Sequence, residues 1–283
     1  MPKLQLSFHG TFALKKEELG KILDAATETQ GLKDSREGLM ARTGLGNEKV
    51  FRVKGWAERS GFIQNNFLSS EGKIIYQRDR ALESHLTDWF MHFHLSLGDK
   101  GLQPPPTDPA EWGGWPYFIY SFLPRISTFT IEELLHHFAE IFSDKALKDL
   151  TKDLKIMLRS YVALPPKYQL PPLQSCKLLT LESGRLVTHH PYLPNPYLVG
   201  YFLAKLWERD FPNQGLVLTS ELLDHPWGLA PALGIDRTRL EEQLNLLETY
   251  GIIEQRRAVP PYQIVPRWHD SLTLLEKAYD ADS

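Results

Sequence analysis

Three pairs of histidines are candidates to ligate a metal or move protons: His92 and His94 in FMHFHL, His136 and His137 in LLHHFAE, and His189 and His190 in VTHHPY. A shared metal needs both imidazoles on one side of the chain. On a helix, residues two apart diverge by about 200° and adjacent ones by about 100°. His92 and His94 therefore converge only on a strand, and the adjacent pairs converge on neither element. All six read as partly buried structural histidines. Asp149 and Asp153, with Lys155, form the nearest local carboxylate group that a Mg²⁺-dependent nuclease could use, and a solvated amphipathic helix face explains them more simply. His9 in SFHGTF precedes a helix and reads as part of a packed N-terminal arm, bonded to backbone. No Gly-x-Ser-x-Gly elbow, His-Glu-x-x-His or P-loop occurs. The residues assign no catalytic group and no metal site.

A cationic stretch is the stronger signal. GLMARTGLGNEKVFRVKGWAERSGFI, residues 38–63, places Arg42, Lys49, Arg52, Lys54 and Arg59 around two apolar segments joined by a Gly-x-Gly turn. Residues 36–80 hold nine Lys or Arg against five Asp or Glu, while the whole chain carries a net charge of −3. A local cationic surface of this kind can displace counterions from a duplex, with a helix in the major groove and a hairpin beside it. Lys73 and Arg78 in the following segment extend the set. Near the C-terminus Arg237, Arg239, Arg256 and Arg257 form a weaker candidate, offset by Glu241, Glu242, Glu248 and Glu254.

These cations need a scaffold. Leu14, Leu19, Ile22 and Leu23 share one face of a first helix. A second helix lies near 36–43, and a third runs from a cap at Asn47 to Ser60, with Val50, Val53, Trp56 and Ala57 inward and Gly61 as the stop. Trp56, Phe62 and Ile63 then belong to the core. NNFLSSEGKIIYQRD reads as a β-hairpin with its tip at 69–73. Proline-rich segments at 102–116 and 163–174 interrupt helices, giving three blocks: 1–82, 83–175 and 176–283. The middle block reads as wholly helical, with a capping box at Thr130 and Glu133. The third opens with two strands about Glu182-Ser183-Gly184 and ends in a unit resembling the first, with Asp236 as cap, Gly251 as stop and strands about a Pro-Pro tip. The expected fold is mainly α with small β-hairpins, two winged-helix units flanking a helical middle.

With 42% apolar and 24% charged residues the composition is that of an ordinary globular protein. No run of about 18 apolar residues is present to span a membrane. The single cysteine, Cys176, excludes an internal disulfide and a Cys-based zinc site and fits a reducing compartment. The chain is expected in the cytoplasm.

LSFHGTFALKKEEL, followed by TGLGNEKVFRVKGWAERSGFI and LSSEGKIIY, resembles a bacterial family catalogued as a domain of unknown function. Its members occur in gene clusters for DNA phosphorothioation, in which sulfur replaces a non-bridging phosphate oxygen. The resemblance spans nearly the whole chain, and its N-terminal motif is the most specific part. It implies a DNA-facing role in modification-based phage defence, as the nickase of an Ssp-type system. Mg²⁺ would be the cofactor of such nicking. The implied partners are DNA, a cysteine desulfurase, an ATPase and a sulfur-transfer ATP pyrophosphatase, and a homodimer is compatible with the sequence. The family supplies no catalytic residues to carry over. A non-catalytic DNA-binding recruitment subunit or transcriptional regulator is the alternative reading, and a protein-interaction scaffold is the second.

Overall fold

Short polar side chains decide where the helices of this protein begin. In the computed structural model, which describes residues 2–164, 170–188 and 191–282, Ser35, Ser69, Ser84, Thr130, Asn195, Asp236 and Asp270 each accept a backbone N–H at a helix start. His189 and His190 lie outside the described residues. An N-terminal arm with a tight turn at Ser7–His9 leads into α1 (Lys16–Ala26), α2 (Arg36–Thr43) and α3 (Asn47–Arg59). Strands β1 (Ile63–Gln64) and β2 (Phe67–Leu68) and helix α4 (Ser70–Arg78) follow. Next come α5 (His85–Ser96), α6 (Gly114–Tyr117) running into a π-helical segment at Phe118–Phe122, β3 (Thr128–Phe129), α7 (Ile131–Ile141) and α8 (Leu147–Leu158). The remainder is β4 (Leu179–Glu182), β5 (Arg185–Thr188), α9 (Pro196–Asp210), β6 (Val217–Leu218), α10 (Thr219–Leu223), α11 (Leu229–Leu233), α12 (Arg237–Thr249), β7 (Ile253–Arg256), β8 (Gln263–Pro266) and α13 (Ser271–Asp280). The protein is mainly helical with small antiparallel sheets, ordered β1-β2, β3-β5-β4 and β6-β8-β7.

The first hairpin differs from expectation in place. Its tip is Asn65-Asn66, both at positive φ, as a two-residue turn between strands of right-handed twist requires. Ser69 then caps α4 by accepting the Gly72 N–H at 2.8 Å, so Lys73 and Arg78 stand on a helix and not on a hairpin. Asn47 is the first residue of α3, with Gly46 in the capping position. The middle block is not wholly helical, because Thr128 and Phe129 pair with Val187 and Leu186 and add a strand to the hairpin of β4 and β5. The expected stops hold: Gly61 and Gly251 both have positive φ. At Gly61 a Cβ would also lie 2.6 Å from the His94 ring.

The core runs across the proline-rich segments. Trp56, fully buried, donates from Nε1 to the Phe12 carbonyl at 3.0 Å and meets Trp115 edge-on. Phe62 and Ile63 are buried with it. Phe93 of α5 stacks on Phe202 of α9 with ring centroids 4.4 Å apart. Polar bonds tie distant segments too. Thr87 and the Tyr279 hydroxyl lie 2.7 Å apart, and Trp227 Nε1 donates to the Pro106 carbonyl at 2.8 Å. His92, fully buried, reaches the Ala232 carbonyl at 2.8 Å through Nε2. A carbonyl only accepts, so Nε2 carries the proton and Nδ1 accepts from the Tyr161 hydroxyl at 2.9 Å. That hydroxyl in turn accepts from Trp115 Nε1 at 3.1 Å.

Burial keeps three histidines uncharged. Desolvation holds His9 and His92 down at about 4 and His94 at about 3, against about 6.5 in an unfolded chain. Below pH 6.5 the unfolded chain takes protons that these folded imidazoles refuse, so their contribution to stability is present above 6.5 and lost as the pH falls towards 4. Asp88, desolvated beside Lys16, is raised to about 6 and acts in the opposite sense between about 6 and 4. Three groups against one give a fall in unfolding free energy of about 2–3 kcal/mol per pH unit near pH 5.5. Urea denaturation between pH 7 and pH 5 measures it, and a flat profile would show that these imidazoles are solvated.

Candidate nucleic-acid interface

Each cation expected from the 38–63 stretch reaches back into the protein. Arg42 donates to the carbonyls of Ala25 at 2.6 Å and Gly31 at 2.8 Å, and meets Glu28 at 3.0 Å. It organises the connection between α1 and α2. Lys49 pairs with Glu18 at 2.9 Å, and Lys54 donates to Asn66 at the hairpin tip. Arg52 donates to the Ser7 and Phe8 carbonyls at 3.3 and 3.2 Å. Arg59 bonds Asp99 at 2.6 Å, and its guanidinium covers the Phe8 ring at 4.0 Å. Charge-assisted bonds of this kind are short-range and directional, so these five side chains first hold the arm, the hairpin and α1 to α3. Lys49 and Arg52 still leave about a third of their side chains in solvent, at 32% and 36%.

The other expected residues are spread out. Lys73 is exposed on α4, while Arg78 pairs with Asp280 of α13 at 2.8 Å. Arg237 is held by Asp224 and by Glu241 at 3.4 Å. Arg239 is half-buried. Arg256 bonds Glu254 at 3.0 Å, and Arg257 bonds Asn245 and meets Glu248 at 3.4 Å. The structure brings together only Arg52 and Arg59, and it does so at the arm.

There His9 is fully buried, its ring centroid 5.3 Å from that of Phe8. Its Nδ1 is 3.2 Å from the Gly10 carbonyl and so carries the proton. Nε2, a bare acceptor, has no hydrogen-bond partner among the described residues. The ring stacks on Trp56 at 5.9 Å. Gly10 has φ +58°, and a Cβ there would be 2.9 Å from Arg52 Nε, so only glycine lets the arginine close over the arm. Burial is the main cause of the lowered His9 pKa, with Lys152, Arg52 and Arg59 adding positive charge around it. Lys152 comes from α8, about a hundred residues away in sequence. Its signal, an exposed lysine in DLTKDLK, was legible only as a solvated face.

Among the described residues no three His, Cys, Asp or Glu side chains converge as a cluster that could hold a metal ion. His92 and His94 diverge on α5, the latter facing Tyr201 at 3.3 Å. His136 pairs with Glu140 at 3.3 Å. The thiol of Cys176 is fully buried and pushed well up by desolvation. A cavity of about 760 Å³ opens between Ile119–Ser127, Leu178, Thr188 and Leu223–Asp236, and shares no residue with the arm. Among the described residues no helix is long and apolar enough to cross a membrane.

A family model described as a protein of unknown function, DUF4007, matches residues 6–266. The chain belongs to the DUF4007 family. No curated protein matches the sequence. Two solved structures of SspB, one of them bound to magnesium ion, share the fold of this DUF4007 chain, each with TM-score 0.73 and 16% identity over 97% of this chain and 87% of theirs.

Within this DUF4007 chain, Arg42→Ala removes a guanidinium that serves two backbone carbonyls and a carboxylate. The expected cost is about 2–3 kcal/mol, read as a lowered urea midpoint. A variant of unchanged stability would place Arg42 in solvent.

Proposed function

We propose that this protein is a DNA-facing component of a DNA phosphorothioation system. The observation that carries the reading is the likeness of fold to SspB along 97% of the chain, joined to the N-terminal LSFHGTF motif. Within the proposal, residues 1–82 form a winged-helix-like DNA-binding domain, 83–175 a helical core domain, and 176–283 a C-terminal domain with a second winged-helix-like unit. The C-terminal unit supports this best. Its order β6, α10, α11, α12, β7, β8, with β8 between β6 and β7, is that of three helices closed by a three-stranded wing. The N-terminal unit has its three helices and a two-stranded hairpin.

Nicking is the second reading. It rests on the magnesium bound in one SspB structure and on the family resemblance. The partners proposed with it are the cysteine desulfurase, the ATPase and the sulfur-transfer ATP pyrophosphatase. Binding without cleavage would leave the protein as a recruitment subunit.

Fluorescence anisotropy with a labelled duplex tests the first reading. Contact with about four phosphates gives roughly a hundredfold loss of affinity between about 50 and 200 mM salt. Binding that ignores salt, or none, would refute a DNA-facing role and favour a protein scaffold. Conversion of supercoiled plasmid to open circle with Mg²⁺, abolished by chelator, is the outcome expected of a nickase. Plasmid left intact by a protein that binds it removes that reading alone.

A further inference from the structure

Lys145, Lys148, Lys152 and Lys155 are separated by three, four and three residues. At about 100° per residue Lys148, Lys152 and Lys155 fall within an arc of about 60° along one side of α8, and Lys145 lies two residues before the helix begins. Lys148, Lys152 and Lys155 are exposed and Lys145 half-buried. The opposite side carries Leu150, Leu154, Met157 and Leu158, all buried. The helix is therefore seated by its apolar face and presents the lysines outward on a fixed frame. The α3 cations bond carboxylates and carbonyls of their own chain, whereas these four lysines show no hydrogen bond or ion pair among the described residues. Asp149 and Asp153 lie off the stripe by about 60–100° on the same geometry. Asp153 is buried, and that burial raises its pKa.

We propose that this face of α8 is the track for one phosphate backbone of a DNA duplex, continued at the arm by Arg52 and Arg59. This assignment rests on the DNA-facing reading above and names the surface that performs it. Length agrees: seven residues from Lys148 to Lys155 rise about 10 Å along the helix, and one strand of B-DNA presents a phosphate every 3.4 Å of axis or so. Three ammonium groups thus meet about three phosphates. Lysine suits the task because its compact charge on a flexible stem follows a backbone without reading bases. Lys152, Arg52 and Arg59 all add positive charge around the same imidazole, His9, which supports a continuation from the stripe to the arm.

The test is a salt titration of full-length protein on a labelled duplex of about twenty base pairs. The variant Lys148→Gln/Lys152→Gln/Lys155→Gln is set against Lys33→Gln/Lys177→Gln/Lys277→Gln, which removes the same charge from exposed lysines on other elements. The stripe variant should lose at least tenfold in affinity at about 100 mM salt. Its slope of log K against log salt should be shallower by about 2.7, at about 0.9 per contact, and the control should keep the wild-type slope. Equal slopes in the two variants overturn the assignment. Wild-type protein that fails to bind duplex overturns the underlying reading instead. Should the triple variant not fold, the single Lys152→Gln and Lys155→Gln variants must each lower the slope by about 0.9, and unchanged slopes overturn the assignment equally.

Discussion

His92 sits where three stretches of chain meet, and it must be neutral to do so. Its Nε2 proton goes to the Ala232 carbonyl, and its Nδ1 lone pair receives the Tyr161 hydroxyl, which itself accepts from Trp115. Protonating the ring would turn Nδ1 into a donor and leave the Tyr161 hydroxyl proton without its acceptor. In a dry interior each unpaired polar atom costs more than a hydrogen bond normally contributes. The register of α5 against α11 and against the chain after α8 is consequently set by this one imidazole. Aromatic packing of Phe93 on Phe202 and of Trp56 against Trp115 fills the space around it without specifying it.

The same need to satisfy polar groups explains what became of the cations. A guanidinium near loose backbone carbonyls is drawn to them, as Arg42 is to Ala25 and Gly31 and Arg52 is to Ser7 and Phe8. Such residues look identical in sequence to ones that face a polyanion. What separates them is whether the fold offers an acceptor nearby. The lysines of α8 show no such acceptor within hydrogen-bonding distance among the described residues, because the helix's outward side borders solvent.

Helix beginnings were legible wherever the evidence was local. Asp236 and the Thr130–Glu133 box act within four residues of themselves, and the Ser183-Gly184 turn lies where two apolar runs flank it. The first hairpin was misplaced because two turn signals stood close together. Asn65-Asn66 makes the reversal, and Ser69-Ser70-Glu71-Gly72, which reads as a tip, opens a helix instead. Strands β3 and β6 were missed because two residues carry no periodicity and gain their partners from far along the chain by register, Thr128 with Val187, 59 positions away, and Val217 with Ile264, 47 positions away. The inward side of Trp56 was readable from helical spacing. The convergence of Lys152 on His9 was not, since nothing local joins α8 to the arm.

The bonds that close the molecule also order its biogenesis. Thr87 finds Tyr279 across 192 residues, and Ser84 finds Asp282 across 198. Translation proceeds at about 5–20 residues per second, so α5 leaves the ribosome roughly ten to forty seconds before its last partner. For about the first half of that interval, until α9 is made, Phe90 and Phe93, both buried in the finished fold, lack their ring partners Tyr201 and Phe202. A nascent chain that exposes so aromatic a helix carries apolar surface open to association until α9 covers it.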